Sequence, residues 1–112
     1  MKKSTEKISI TDIKELLDPI FQKSKVKKAF LFGSYATGKE TKKSDLDLMI
    51  IMETSKRFFE RYDQFDEIYN TFKGCAIDLL IYTPEELENI SHRKFINDIL
   101  YKGKIIYECR QE

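Results

Sequence analysis

The spacing of hydrophobic positions changes several times along this chain, and each change predicts an element. Near the start, Ile13, Leu16, Leu17, Ile20 and Phe21 recur at three- and four-residue steps, which predicts one buried face of a helix. Thr11 is the expected N-cap, and Pro19 inside the pattern predicts a kink. Val26 to Phe32 becomes wholly apolar at its end and reads as a short strand stopped by Gly33. A loop or short helix is expected over Ser34 to Ser44, with Gly33 and Gly38 as breakers. Asp45 to Met52 is apolar on both faces at its centre, as in a strand buried within a sheet. From Ser55 to Lys73 the aromatics Phe58, Phe59, Tyr62, Phe65, Tyr69 and Phe72 return to helical spacing, with Gly74 as the stop. Ala76 to Tyr82 is a third strand.

Thr83-Pro84-Glu85-Glu86 has the form of a helix start, with Thr as N-cap and Pro at the first helical position. A further helix is expected from about His92 to Tyr101, ending before Gly103, and Lys104 to Glu108 adds a terminal strand. The order predicts an α/β (α+β) fold: a small mixed β-sheet with helices packed on it. At 112 residues the chain reads as one domain, residues 1–112, with an N-terminal helix over 1–25 and a core over 26–108.

Two carboxylates stand at the head of the second strand. Asp45 and Asp47 are two residues apart, so in a strand they share a face, about 7 Å apart along the chain. Leu46 and Leu48 then face the core and fix the register. Two like charges that close repel and desolvate badly unless a counter-charge is supplied. Hard oxygen ligands at this spacing suit Mg²⁺. Asp78 is a lone acid in the otherwise apolar third strand. A sheet that sets the two strands side by side would assemble three carboxylates, the ligand set of a two-metal site. Gly33-Ser34 lies at a strand end where a short helix begins: glycine allows close approach of a ligand, and the Ser34 hydroxyl adds a donor for phosphate. Lys39, Lys42 and Lys43 are candidate counter-charges for a triphosphate, or simply solvated loop residues.

Composition narrows the partners. Hydrophobic residues make up 41% and charged residues 35%, a globular balance. The net charge of +1 argues against a general nucleic-acid binder. Lysines crowd Gln22 to Lys43, while acids dominate Glu60 to Glu88. No apolar run approaches the roughly 20 residues of a membrane span, and no signal-type stretch follows Met1, so a cytoplasmic location is expected. Cys75 and Cys109 lack metal-ligand spacing and read as reduced structural thiols. His92, Tyr35 and the aromatic stripe are weaker candidates: a general base or a surface residue at a helix start, a neighbour of the site that could touch its ligand, and core or partner contact respectively.

Gly-Ser-Tyr-Ala-Thr-Gly-Lys-Glu-Thr-Lys-Lys-Ser-Asp-Leu-Asp-Leu, Gly33 to Leu48, resembles the signature of the DNA polymerase β-like nucleotidyltransferase superfamily. In size and layout the chain looks like that superfamily's minimal nucleotidyltransferases (MNT-type proteins). The resemblance implies that Gly33 and Ser34 bind the triphosphate of ATP and that Asp45 and Asp47 bind two Mg²⁺ ions. It implies that Asp78 binds the catalytic metal and helps deprotonate the acceptor. Many relatives carry arginine where this chain has Thr37, and Lys39 is the candidate substitute. Many MNT-type proteins are antitoxins that transfer AMP to a tyrosine hydroxyl of a HEPN-family toxin, so such a toxin is the implied partner, in a hetero-oligomer. The short chain leaves no room for an acceptor-holding domain, which agrees with a protein acceptor. Two alternatives are a non-catalytic antitoxin that acts by binding, and an adenylyltransferase of a small hydroxylated molecule such as an antibiotic.

Overall fold

The computed structural model describes residues 8–41 and 44–109. Lys42 and Lys43 lie outside them, as do the ends of the chain. Helix α1 spans Ile10–Lys23, with Pro19 inside it. Its N-cap is Ser9, whose hydroxyl accepts from the Asp12 amide at 3.0 Å, and not Thr11. Capping from Ser9 draws Ile10 into the helix, where it packs against the core. Strand β1 (Lys28–Phe32), the one-turn helix α2 (Ser34–Thr37) and strand β2 (Leu46–Ile51) follow.

The stretch expected as one helix over Ser55 to Lys73 divides. Phe58–Phe65 is a 3₁₀ helix and Asp66–Thr71 is helix α3. Side-chain bonds hold the tighter first half. The Arg57 amide donates to Glu60 Oε1 at 3.2 Å, and Arg61 Nε donates back to the Lys56 carbonyl at 3.0 Å. The aromatic stripe divides too: Phe65 and Phe72 are buried, whereas Phe58, Phe59 and Tyr69 are exposed. Strand β3 (Ile77–Tyr82), helices α4 (Pro84–Ile90) and α5 (Lys94–Lys102), and strand β4 (Lys104–Glu108) complete the chain. The expected start of α4 is present: the Thr83 hydroxyl accepts from the Glu86 amide, and Glu86 Oε1 accepts from the Thr83 amide.

The four strands form one mixed sheet in the order β3-β2-β1-β4. β1 runs antiparallel to β2 and to β4, while β2 and β3 are parallel. Because strand side chains alternate, the sheet has two apolar faces. Ala29, Leu31, Leu46, Leu48, Ile50, Leu79, Ile81 and Ile106 meet α1, Phe65 and α3 on one side. Phe30, Met49 and Ile51 meet Ile99 of α5 and Leu87 of α4 on the other. Leu46 and Leu48 therefore lock β2, and Asp47 between them projects to the α5 side.

The outer edge of β3 is closed by side chains. Ala76 and Tyr82 bond β2 through their carbonyls, so alternation turns the Leu79 and Ile81 carbonyls outward. Tyr62 donates its hydroxyl to Leu79 at 2.6 Å, and Arg61 Nη1 donates to Ile81 at 3.0 Å. Arg61 is buried, and its guanidinium grips Glu86 with two bonds of 2.7 and 2.9 Å. Such fork-to-carboxylate pairing is stronger than a single contact. The Arg61 guanidinium and the Thr83 amide hold the Glu86 carboxyl down at a pKa of about 2.

Arg61→Ala is expected to lower stability by about 2–3 kcal/mol, since two carbonyls lose their donor and a half-buried, two-bond pair with Glu86 is broken. A carboxyl with a lowered folded pKa adds stability above its unfolded value, and this is lost as pH falls. For Glu86 the window runs from 4.5 down to about 2. Urea melts of the wild type and Glu86→Gln should therefore differ at pH 7 and converge toward pH 2. A constant gap across that range would refute the pairing.

Candidate active site

The parallel register of β2 and β3 sets Asp47 directly beside Asp78, and the antiparallel register of β1 sets Phe32 on the other side of Asp47. Asp45 lies just before β2 and not within it, yet it joins the cluster. Carboxylate oxygens of Asp45, Asp47 and Asp78 all lie within 4.8 Å of one another. Asp45 and Asp78 are exposed, while Asp47 is half-buried. The three acids expected to meet do meet.

Their electrostatics fit a cation site. Burial pushes the Asp47 carboxyl up to about 6, and hydrogen bonding to Asp78 with the charges of Asp78 and Asp45 adds to the rise. Without a cation Asp47 retains its proton above the usual carboxylate range. All three offer hard carboxylate oxygens, the donor type that Mg²⁺ prefers, and Asp47 and Asp78 line a cleft.

Gly33 abuts this cluster. It follows β1 with φ of 74° and ψ of −147°, a backbone region that side chains disfavour. A Cβ at this position would land on Asp47 Oδ2. The glycine is thus demanded twice, by its dihedrals and by an acid fourteen positions on. Ser34 opens α2, whose turn is closed by Thr37 Oγ1 donating to the Gly33 and Ser34 carbonyls at 3.4 and 3.3 Å. Lys39 is exposed beyond Gly38, with its amide on the Ser34 carbonyl at 3.0 Å, and it lies outside the two clefts that Gly33 lines. Tyr35 turns away from the site into the main core, 3% exposed. His92 is exposed in the turn between α4 and α5.

Two clefts meet at Gly33. One, of about 470 Å³, contains Asp47 and Asp78 with Leu79 and Leu80. The other, of about 260 Å³, runs between α2 and α5 past Thr37 to Asp98 and Lys102. Phe32, Gly33 and Phe95 line both, so the two clefts adjoin there. Phe95 stands 57% exposed with its ring edge-on to Phe32, 5.9 Å between centroids. Sequence reading missed Phe95 and Lys102, because α5 is brought over Gly33 only by the tertiary fold. The one available signal was that Phe95 falls beside the Ile96–Ile99 stripe and not on it.

The chain is similar to several known proteins. The profile of the family described as "Polymerase beta, Nucleotidyltransferase" matches residues 14–112. A candidate protein adenylyltransferase of Methanocaldococcus jannaschii is 33% identical over 99 residues, 83% of this chain and 97% of that protein. Among solved structures, a toxin–antitoxin complex with AMP-PNP superposes with a TM-score of 0.64 at 18% identity, covering 88% of this chain and 75% of that one. A mutant of the toxin–antitoxin pair MntA–HpeT superposes with a TM-score of 0.59 at 16% identity, covering 93% and 77%. At those identities the structural likeness establishes the fold.

A carboxyl whose folded pKa is raised destabilises the native state as pH climbs through the interval between its unfolded and folded values. For Asp47 that interval runs from 3.8 to about 6. In EDTA at pH 7.5, Asp47→Asn should therefore melt at a higher temperature than the wild type. The gain is expected to be on the order of 1 kcal/mol, discounted for solvent screening of a half-buried group. Adding Mg²⁺ should stabilise the wild type more than the variant. A lower melting temperature for Asp47→Asn in EDTA would contradict the repulsion.

Proposed function

Because the chain belongs to the polymerase β nucleotidyltransferase family, we propose that it moves AMP from ATP to a protein hydroxyl, a tyrosine of a HEPN-type toxin. The observation that carries this reading is the set of three carboxylates within 4.8 Å of one another beside Gly33. The relatives named as candidate protein adenylyltransferases support a protein acceptor, and the toxin–antitoxin neighbours support a toxin as that protein. No described helix is long and apolar enough to cross a membrane.

Asp45, Asp47 and Asp78 would hold Mg²⁺, which when bound supplies neutralising charge for the carboxylates and the triphosphate. Gly33 leaves its backbone bare beside Asp47, so the triphosphate reaches the acids without a side chain between them. The Ser34 hydroxyl, at the head of α2, offers a donor to a phosphate oxygen, and the exposed Lys39, after α2, is a second candidate for the phosphates. In the transfer, the tyrosine oxygen attacks the α-phosphorus and the bond to the β-phosphate breaks. Pyrophosphate leaves, and the phenolic proton passes to the Asp78 carboxylate. Asp78 suits that role because it is exposed on the outermost strand, where a macromolecular acceptor can reach it. Asp47, half-buried between β1 and β3, fixes the centre of the site.

The test is transfer of label from α-³²P-ATP in Mg²⁺ to a purified HEPN-family toxin encoded beside this chain. The wild type should label a toxin tyrosine, and Asp45→Asn with Asp47→Asn should reduce labelling by about 10²–10³-fold. Unchanged labelling by the double variant would exclude this mechanism. Toxin neutralisation that persists in the double variant would instead favour inhibition by binding alone.

A further inference from the structure

The groove beyond Gly33 leads away from the acids to a cation that the reading above does not use. Lys102 lines the cleft between α2 and α5, opposite Thr37. Asp98 lies one turn earlier on the same helix and lines the same cleft, but Lys94 already holds it at 3.1 Å. Lys102 makes no ion pair with any described residue. It is exposed, and its four-carbon stem gives the ammonium a wide reach.

The charge balance of the site calls for such a group. Three carboxylates and a triphosphate of about −4 come together there, and two divalent cations offset only about +4 of that charge. Roughly three negative charges are left for the protein to meet. Lys39 lies outside both clefts, so Lys102 is the cation that the described residues place on the groove. The cleft of Asp47 and the cleft of Lys102 adjoin at Phe32, Gly33 and Phe95, so a phosphate chain whose first phosphate sits at the acids would pass Gly33 toward Lys102.

We propose that Lys102 binds the β- and γ-phosphates of the nucleotide in the cleft between α2 and α5. It thereby makes the site selective for a nucleoside triphosphate over a monophosphate. This rests on the nucleotide reading of the acidic cluster. A purely structural role is the competing explanation, because a lysine in the last turn of a helix also complements the helix carbonyls. The two differ in what they do to discrimination among nucleotides.

Calorimetric titration of the full chain with ATP and with AMP, both in Mg²⁺, separates them. Lys102→Gln should weaken ATP binding about ten-fold while AMP binding stays within about two-fold. Lys102→Arg should restore most of the ATP affinity. ATP binding by Lys102→Gln equal to the wild type would overturn the proposal. So would an equal loss of ATP and AMP affinity accompanied by a lower melting temperature, the signature of a structural lysine. If the wild type binds neither nucleotide, the nucleotide reading itself fails, a result distinct from either of these.

Discussion

Mutual repulsion among three carboxylates is the constraint around which this molecule is arranged. Charges packed this closely work against folding, and the raised Asp47 carboxyl is the trace of that cost. The surrounding sheet is built to hold them regardless. Leu46 and Leu48 anchor β2 in one core, Met49 and Ile51 anchor it in the other, and a one-residue slip would exchange the two sets. The parallel pairing of β2 with β3 then fixes Asp78 beside Asp47, and the missing side chain of Gly33 leaves room for the carboxylate between strands. Stability stored in about twenty buried hydrophobic side chains is thus spent on one cluster of like charge.

Much of this was legible in the amino-acid order because the site is built from short-range spacing on strands. The four strands follow from short apolar runs bounded by glycine and polar residues, and the shared face of Asp45 and Asp47 from their two-residue spacing, while the arrival of Asp78 waited on β2 and β3 being neighbours. What the order left open depends on contacts between distant segments. Thr11 and Ser9 are both competent caps, and the packing of Ile10 decides between them. The aromatic stripe has helical spacing throughout, yet Arg61 draws its first half into a tighter coil because it must reach Ile81 and Glu86. Tyr35, beside the motif in sequence, turns into the core, while Phe95 and Lys102, some sixty residues later, reach Gly33.

Family membership and geometry inform different parts of the account. The profile match and the 33% identical relative establish the nucleotidyltransferase family, whereas neighbours below 20% identity carry the fold. The distribution of exposure along the groove adds detail specific to this chain. Its acidic end opens at the sheet margin through Asp78, and Lys102 at its other end is exposed as well.

The sealing of β3 by Tyr62 and Arg61 has a consequence for assembly. With the Leu79 and Ile81 carbonyls occupied, the margin nearest the acids offers a poor template for a foreign strand. The opposite margin, β4, has no neighbouring strand among the described residues, and Ile105 there is half exposed. Any polypeptide that extends this sheet through its main chain is thereby directed to β4, two strands away from Asp47. A strand added at β4 would leave the acids uncovered.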